Sequence, residues 1–122
     1  MAGRIGVGFV GTGFIAEFHA RSWTSVRDGD IVAATSRTRK SGESLANLCR
    51  ELRVGDPVVC DNVAELVRLP EVDAVWITAP NYERLPIIET IVEEVKSGRS
   101  KVRAVAIEKP LARNVREAER II

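Results

Sequence analysis

A glycine-containing segment near the beginning of the chain has the residue types and the spacing of a phosphate-binding turn. Residues 11–16 read GTGFIA and fit the pattern G-x-G-x-x-A, between an apolar segment typical of a strand and a pattern typical of a helix. In such a turn Gly11 permits the sharp bend, Gly13 lets a diphosphate approach the backbone, and Ala16 allows the helix to pack closely on the strand. The unpaired N–H groups at the start of the helix would then face the phosphates. The predicted contacts of a dinucleotide on this turn are Gly11, Thr12, Gly13, Phe14 and Ile15.

Two other interpretations of these glycines are possible. Gly6, Gly8 and Gly11 also spell G-x-G-x-x-G, but the first two would lie inside the predicted strand, where they could not contact a phosphate. The turn could also merely connect a strand to a helix. Its position between these two elements favours dinucleotide binding.

A run of hydroxyl and basic side chains follows the second predicted strand. Dinucleotide-binding folds often carry an Asp or Glu there, which hydrogen-bonds the adenosine ribose. Here the sequence is SRTRK, without an acid. A carboxylate would repel the 2′-phosphate of NADP, whereas hydroxyl and guanidinium groups bind phosphate. Ser36, Arg37 and Thr38 therefore predict a preference for NADP over NAD, the alternative being a solvated basic turn.

Two further segments follow predicted strands and could meet the other end of a dinucleotide. Their predicted cofactor contacts are Ala79, Pro80, Asn81, Glu108 and Lys109. Open parallel sheets bind ligands outside the carboxyl ends of their strands, and an ammonium group there can polarise a substrate oxygen or assist proton transfer. Lys109 is therefore the candidate catalytic residue, the alternative being an exposed lysine before a turn. Glu108 could either orient Lys109 or cap the next turn.

The elements that must position these residues alternate between strand and helix. Apolar segments predict strands over 4–10, 31–35, 58–60, 72–78 and 102–107. Amphipathic segments predict helices over 14–26, 41–52, 62–69 and 82–96. In the helix over 82–96, Val92 and Val95 are expected to face the core. Asn114 and Glu117 have the spacing of a capping box, which predicts the start of a last helix. This alternation predicts an α/β fold of the Rossmann type, a doubly wound parallel sheet with strand order 3-2-1-4-5.

Composition limits the functional classes. The 122 residues suffice for one domain over 1–122. A net charge of +1 and an aromatic content of 5% predict no nucleic-acid partner and no membrane surface. One histidine and two cysteines, Cys49 and Cys60, lack the spacing of metal ligands, so no metal site is predicted. We expect both thiols to be reduced in a cytoplasmic protein.

Together these motifs resemble one enzyme family. Residues 11–16, His19 with Ala20, 79–81 and 108–110 are similar in order and spacing to the glucose–fructose oxidoreductase, inositol dehydrogenase and rhizopine catabolism family. The resemblance implies an N-terminal NAD(P)-binding domain and hydride transfer between a nicotinamide cofactor and a small-molecule substrate, a sugar, cyclitol or related hydroxyl or carbonyl compound. It also implies a C-terminal sheet domain that supplies most of the substrate site and a homo-oligomer interface.

The resemblance extends to single residues. It implies that Lys109 lies near the nicotinamide and the substrate, that His19 packs near the cleft, and that the peptide bond before Pro110 is cis, as it often is in the family. One departure concerns the histidine that the family usually carries a few residues past Asn81. This chain has YER at 82–84 instead, which puts a substrate role of that loop in doubt.

The chain is expected to lack the C-terminal domain with its Asp and His catalytic residues. We therefore expect the nucleotide-binding domain of an NADP- or NAD-dependent oxidoreductase, inactive as a fragment. One alternative is a non-catalytic NAD(P)-binding or redox-sensing module, which would need no downstream Asp and His pair. Another is an enzyme that uses NAD transiently and shows no net consumption of it.

Overall fold

The computed structural model describes residues 4–122, and residues 1–3 of the predicted domain lie outside the described residues. The strands are β1 (Ile5–Val10), β2 (Gly29–Thr35), β3 (Val58–Cys60), β4 (Ala74–Ile77) and β5 (Ala104–Ile107). The helices are α1 (Phe14–Ser22), α2 (Arg39–Leu52), α3 (Val63–Arg68), α4 (Arg84–Lys96) and α5 (Val115–Ile121). All strand pairs are parallel and the sheet order is β3-β2-β1-β4-β5, which confirms the predicted Rossmann-type fold.

Polar side chains fix the starts of three helices. Thr38, Asn62 and Asn114 each accept a hydrogen bond from a backbone N–H in the first turn of α2, α3 and α5 respectively. This is the usual way to satisfy the N–H groups that a helix leaves unpaired at its beginning. The predicted start of the last helix is confirmed, and Glu117 donates its N–H to Asn114 at 2.9 Å.

Several predicted boundaries were wrong by two or more residues, including the end of α1 and the start of β2. α1 ends at Ser22 and continues only as a 3-10 turn over Trp23–Ser25, although the pattern predicted a helix to 26. β2 begins at Gly29, two residues before the predicted strand 31–35, directly after Asp28, which has a φ of 64°. Gly29 then pairs with Ile5 of β1, so β2 gains residues at its beginning.

The buried face of α4 also differs from the prediction. Val92 and Val95 are 43% and 39% exposed, while Glu94 is buried with Ile91. The reason is that Arg68 of α3 and Arg99, just beyond the end of α4, both reach the Glu94 carboxylate and neutralise its charge.

The sheet carries an apolar cluster on each face. One cluster packs α1 and α2 on the sheet, and its fully buried members include Phe9, Ala16, Ala20, Leu45 and Cys49. The other packs α3 and α4 through residues that include Leu66, Val67, Ile77, Ile88 and Ile91. Because every strand is parallel, the ends of β1, β2, β4 and β5 meet at one edge of the sheet.

Candidate functional site

A cavity of about 970 Å³ opens at the carboxyl edge of the sheet, beside the ends of β1, β2 and β4. This volume matches ligand pockets, which usually span roughly 300–1,000 Å³. The predicted residues that line it are Gly11, Thr12, Gly13, Phe14, Ile15, Ser36, Arg37, Thr38, Ala79 and Pro80. The remaining predicted residues, Asn81, Glu108 and Lys109, lie beyond this lining on the loops that follow β4 and β5.

The sharp bend after β1 requires a glycine. Gly11 has a φ of 103°, and a Cβ atom there would lie 2.5 Å from the backbone nitrogen of Ala79. The N–H of Gly11 donates to the carbonyl of Thr35 at 2.9 Å. The bend is therefore fitted between the ends of β2 and β4, at the centre of the carboxyl edge.

The start of α1 lacks the side-chain cap that α2, α3 and α5 have. Gly13 occupies the N-cap position, and no side chain of the described residues accepts a hydrogen bond there. A Cβ atom at Gly13 would meet nothing within 4 Å. Unpaired N–H groups and the positive end of the helix dipole thus face the cavity. This arrangement fits a diphosphate, which is an anion large enough to accept several N–H donors.

The glycine turn is fixed to the second helix by a side-chain pair that sequence reasoning missed. The hydroxyl oxygens of Thr12 and Ser41 lie 2.6 Å apart, and Ser41 also donates to the carbonyl of Thr12 at 3.3 Å. Thr12 is only 6% exposed. Serine is common in the first turn of helices, so the residue type of Ser41 gave no reason to predict its contact with Thr12.

The polar run after β2 is partly engaged within the protein. The Ser36 hydroxyl donates to the carbonyl of Thr38 at 2.6 Å, and the Thr38 hydroxyl caps α2. Arg37 extends from this loop with its side chain 73% exposed, and its Nε lies 3.6 Å from Oε1 of Glu83. Ser36 and Arg37 both line the cavity, and their contact with a coenzyme stays a prediction.

Arg84 joins the loops that follow β4 and β5. It is 3% exposed, its Nε donates to the carbonyl of Ala79 at 3.0 Å, and its Nη1 donates to the carbonyls of Glu108 and Pro110. Burial lowers the pKa of the guanidinium group, while the nearby Glu108 charge acts in the opposite direction. Sequence reasoning missed this role, although a signal existed: a cation in the first turn of an otherwise apolar helix opposes the helix dipole and needs a reason to be there.

Glu108 has a partner that neither sequence alternative named. Its Oε2 lies 2.9 Å from Nε2 of His19, and the His19 ring centroid lies 4.8 Å from that of Trp76. The hydrogen bond from His19 is the main cause that holds the pKa of the Glu108 carboxyl below its ordinary value. Lys109 is exposed beside this pair, and the Lys109–Pro110 peptide bond is cis, as the resemblance implied.

The remaining groups with chemical potential are less suited to reaction. Cys49 and Cys60 are buried free thiols, and burial raises the pKa of each to about 11. Within residues 4–122 no three His, Cys, Asp or Glu side chains are grouped to hold a metal ion. Nor does the described chain contain a helix both long and apolar enough to cross a bilayer.

Comparison with known proteins gives a family and several relatives. Residues 5–122 match the family model described as an oxidoreductase family with an NAD-binding Rossmann fold. The chain is 28% identical over 118 residues to an inositol 2-dehydrogenase of Gluconacetobacter diazotrophicus. This alignment covers 97% of the chain and 32% of the relative, so the chain spans about a third of that enzyme's length.

Solved structures repeat the same fold. The myo-inositol dehydrogenase from Lactobacillus casei, solved in complex with NAD(H) and myo-inositol, superposes with a TM-score of 0.79 at 22% identity, over 97% of this chain and 32% of that one. An oxidoreductase from Thermotoga maritima has a TM-score of 0.76 at 32% identity, over 98% of this chain and 34% of that one. In both cases the similarity covers about a third of a longer protein.

Proposed function

Because the chain belongs to the oxidoreductase family with an NAD-binding Rossmann fold, we propose that its cavity holds a nicotinamide coenzyme for hydride transfer to or from a small hydroxyl or carbonyl compound. A sugar or cyclitol is the proposed substrate class, which the inositol dehydrogenase relatives support. Membership of an oxidoreductase family favours this proposal over a non-catalytic binding module. A cytoplasmic location and a homo-oligomeric longer protein stay predictions.

One observation carries the proposal: α1 begins without a side-chain cap, at a glycine that faces open space in a cavity of coenzyme size. Backbone N–H groups at the start of α1 would hold the diphosphate, and Gly11 keeps the end of β4 close to it. The contacts proposed for the diphosphate are Gly11, Thr12, Gly13, Phe14 and Ile15.

The adenosine end is proposed to lie by the loop after β2. Ser36 and Arg37 line the cavity. No Asp or Glu follows β2 at residues 36–40, so no carboxylate of this loop would repel a 2′-phosphate. Arg37 can make a forked contact with phosphate oxygens. We therefore propose that the chain prefers NADP, with NAD as the second coenzyme.

The opposite end of the site contains the proposed catalytic lysine. The nicotinamide ring, when bound, supplies the hydride acceptor or donor. Pro80 and Asn81 would position that end, and Lys109 would hold or move a proton at the substrate oxygen through its Nζ. Glu108 and His19 form a hydrogen-bonded pair directly beside Lys109, and Arg84 fixes the loop that carries it.

A variant at the N-cap of α1 separates coenzyme binding from folding. Gly13→Asp introduces a favourable N-cap side chain, so the melting temperature should stay equal or rise. The same carboxylate occupies the diphosphate position and repels it, so affinity for NADP and NAD should fall roughly 100-fold or more. Calorimetric titration and thermal unfolding measure the two effects. If the original protein binds neither coenzyme saturably, or if the variant binds both as well as the original, the proposal is wrong.

A lysine variant tests the proposed catalytic role in the full-length enzyme. Lys109→Ala should lower kcat by about 100-fold or more, as expected for loss of a proton-transfer group. Coenzyme affinity should change by no more than about twofold, since Lys109 lies beyond the cavity lining. Steady-state kinetics and a coenzyme titration give both values. Unchanged turnover would remove Lys109 from the mechanism.

A further inference from the structure

Two opposite charges meet across the rim of the cavity from separate loops. Arg37 extends from the loop between β2 and α2, and Glu83 ends the 3-10 turn Asn81–Glu83 that follows β4. The Nε of Arg37 lies 3.6 Å from Oε1 of Glu83, and both residues line the cavity. The pair therefore involves the same guanidinium group that is proposed to receive the 2′-phosphate of NADP.

The two partners differ in how firmly they are held. The side chain of Glu83 is 29% exposed, and its backbone N–H donates to the carbonyl of Pro80 at 2.9 Å. The next residue, Arg84, is buried, and its Nε donates a hydrogen bond to the carbonyl of Ala79. The Arg37 side chain is 73% exposed and has no other ion-pair partner among the described residues. Glu83 is thus the fixed partner and Arg37 the one free to turn.

The other charges at the cavity do not compensate Glu83. Among the described lining residues, the charged ones are Arg37, Asp61 and Glu83. Asp61 is already paired with Arg39 at 2.7 Å. A phosphate that arrived beside Arg37 would therefore meet a single arginine whose charge is shared with the Glu83 carboxylate.

We propose that Glu83 sets the coenzyme preference of this chain by competing with the 2′-phosphate of NADP for Arg37. This inference rests on the proposed function and deepens it. NAD presents a hydroxyl group at the 2′ position, so it can bind while Arg37 remains paired with Glu83. NADP binds tightly only when Arg37 leaves the carboxylate, and the cost of breaking that pair reduces the advantage that Arg37 gives to NADP. The chain consequently accepts both coenzymes with a modest preference.

Removal of the Glu83 charge should increase the preference for NADP. Glu83→Gln keeps the size of the side chain and loses no helix cap, since Glu83 makes no side-chain cap bond at the start of α4. We expect the ratio of the NAD and NADP dissociation constants to rise roughly fivefold, the upper end of what an exposed ion pair contributes. The gain should come from tighter NADP binding, while the NAD dissociation constant stays within about twofold. Calorimetric titration with each coenzyme measures all of these values.

A double-mutant cycle with Arg37→Gln distinguishes competition from simple repulsion of the phosphate. If Glu83 acts through Arg37, Glu83→Gln should change the ratio by less than about twofold when Arg37 is already replaced. The same fivefold increase in both backgrounds would overturn the proposal, because Glu83 would then act on the phosphate directly. An unchanged ratio in the single variant would also overturn it.

Two controls keep the interpretation clear. Glu93→Gln removes the same charge from an exposed position of α4 away from the cavity, and it should leave the ratio unchanged. An increase in the ratio with this control would show a general charge effect and would overturn the role of Glu83. Failure of the original protein to bind either coenzyme would refute the proposed function itself, a result distinct from binding of both coenzymes that is insensitive to Glu83.

Discussion

Gly11 and Gly13 are both glycines in one turn, but for different physical reasons. Gly11 needs its residue type for the fold, because its positive φ and its closeness to Ala79 leave no place for a side chain. Gly13 has an ordinary φ of −84° and open space around its missing side chain. Nothing in the described structure requires a glycine there, which supports the proposal that a ligand approaches the backbone at this position.

A pair of alanine variants tests the steric part of this argument. Gly11→Ala should destabilise the protein by about 3 kcal/mol or more, from positive-φ strain of about 1 kcal/mol together with overlap against Ala79. Gly98→Ala is the matched control, since Gly98 has a φ of 82° but nothing within 4 Å of a new Cβ atom. It should cost only about 1 kcal/mol. Urea unfolding gives both values, and equal costs would mean that the contact with Ala79 is not limiting.

At the scale of elements, the site depends on two loops that begin side by side at the edge of the sheet and are connected further out by one side chain. β4 and β5 are neighbours, so the residues after Ile77 and Ile107 leave the same edge side by side. Arg84 then binds carbonyls on both loops. The position of Lys109 relative to the cavity is therefore set by a side chain from the beginning of α4.

Replacement of Arg84 by an apolar residue of similar length should weaken the fold. Arg84→Met leaves three carbonyls without their charged donor, each a loss of about 1 kcal/mol or more, so the free energy of unfolding should fall by about 3 kcal/mol. Arg120→Met is the control, because Arg120 forms an exposed pair with Glu89, and it should cost less than about 1 kcal/mol. Chemical denaturation of both variants provides the comparison, and similar small losses would contradict the role of Arg84.

The sequence allowed the elements and the glycine turn to be predicted because both depend on local pattern. β3, for example, was predicted over 58–60 and found at Val58–Cys60, since an apolar run between turns is visible in the sequence. Arg84 and Glu94 could not be assigned in the same way. Each is charged yet buried, and each depends on partners far along the chain, such as Glu108 for Arg84 and Arg68 for Glu94. Hydrophobic periodicity does not detect such pairs, which is also why Val92 and Val95 were wrongly placed in the core.

At the scale of the whole molecule, the two edges of the sheet differ: one carries the cavity, and the other carries ion pairs and hydrogen bonds. The cavity lies at the carboxyl edge, where uncapped N–H groups and the exposed side chain of Arg37 face solvent. At the opposite edge, the carboxylates of Glu94 and Asp73 are held by hydrogen bonds and ion pairs. Glu94 is 5% exposed and lies 2.8 Å from both Arg68 and Arg99. Asp73 accepts a hydrogen bond from the N–H of Gly6, the main cause that lowers its pKa. These contacts connect α3, α4 and the sheet away from the binding site.

This distribution predicts how the whole protein responds to acid. Hydrogen bonds from Arg68, and then from Arg99, lower the pKa of Glu94 from 4.5 to about 2. Because the folded-state pKa lies below the unfolded value, the contribution of Glu94 to stability is complete above pH 4.5 and is lost as the pH falls towards 2. Glu94→Gln should therefore be less stable than the original protein at neutral pH, and this difference should shrink steadily over that acid range.

Urea unfolding at a series of pH values measures the difference between the two proteins. Asp73 titrates in the same direction in both, so its contribution cancels when the curves are subtracted. Glu93→Gln provides the control, because Glu93 is the exposed neighbour on the same helix, and its curve should stay parallel to that of the original protein. If the Glu94→Gln curve also stays parallel down to pH 2, the carboxylate of Glu94 is not stabilised by its arginines, and the acid sensitivity of the fold must come from other groups.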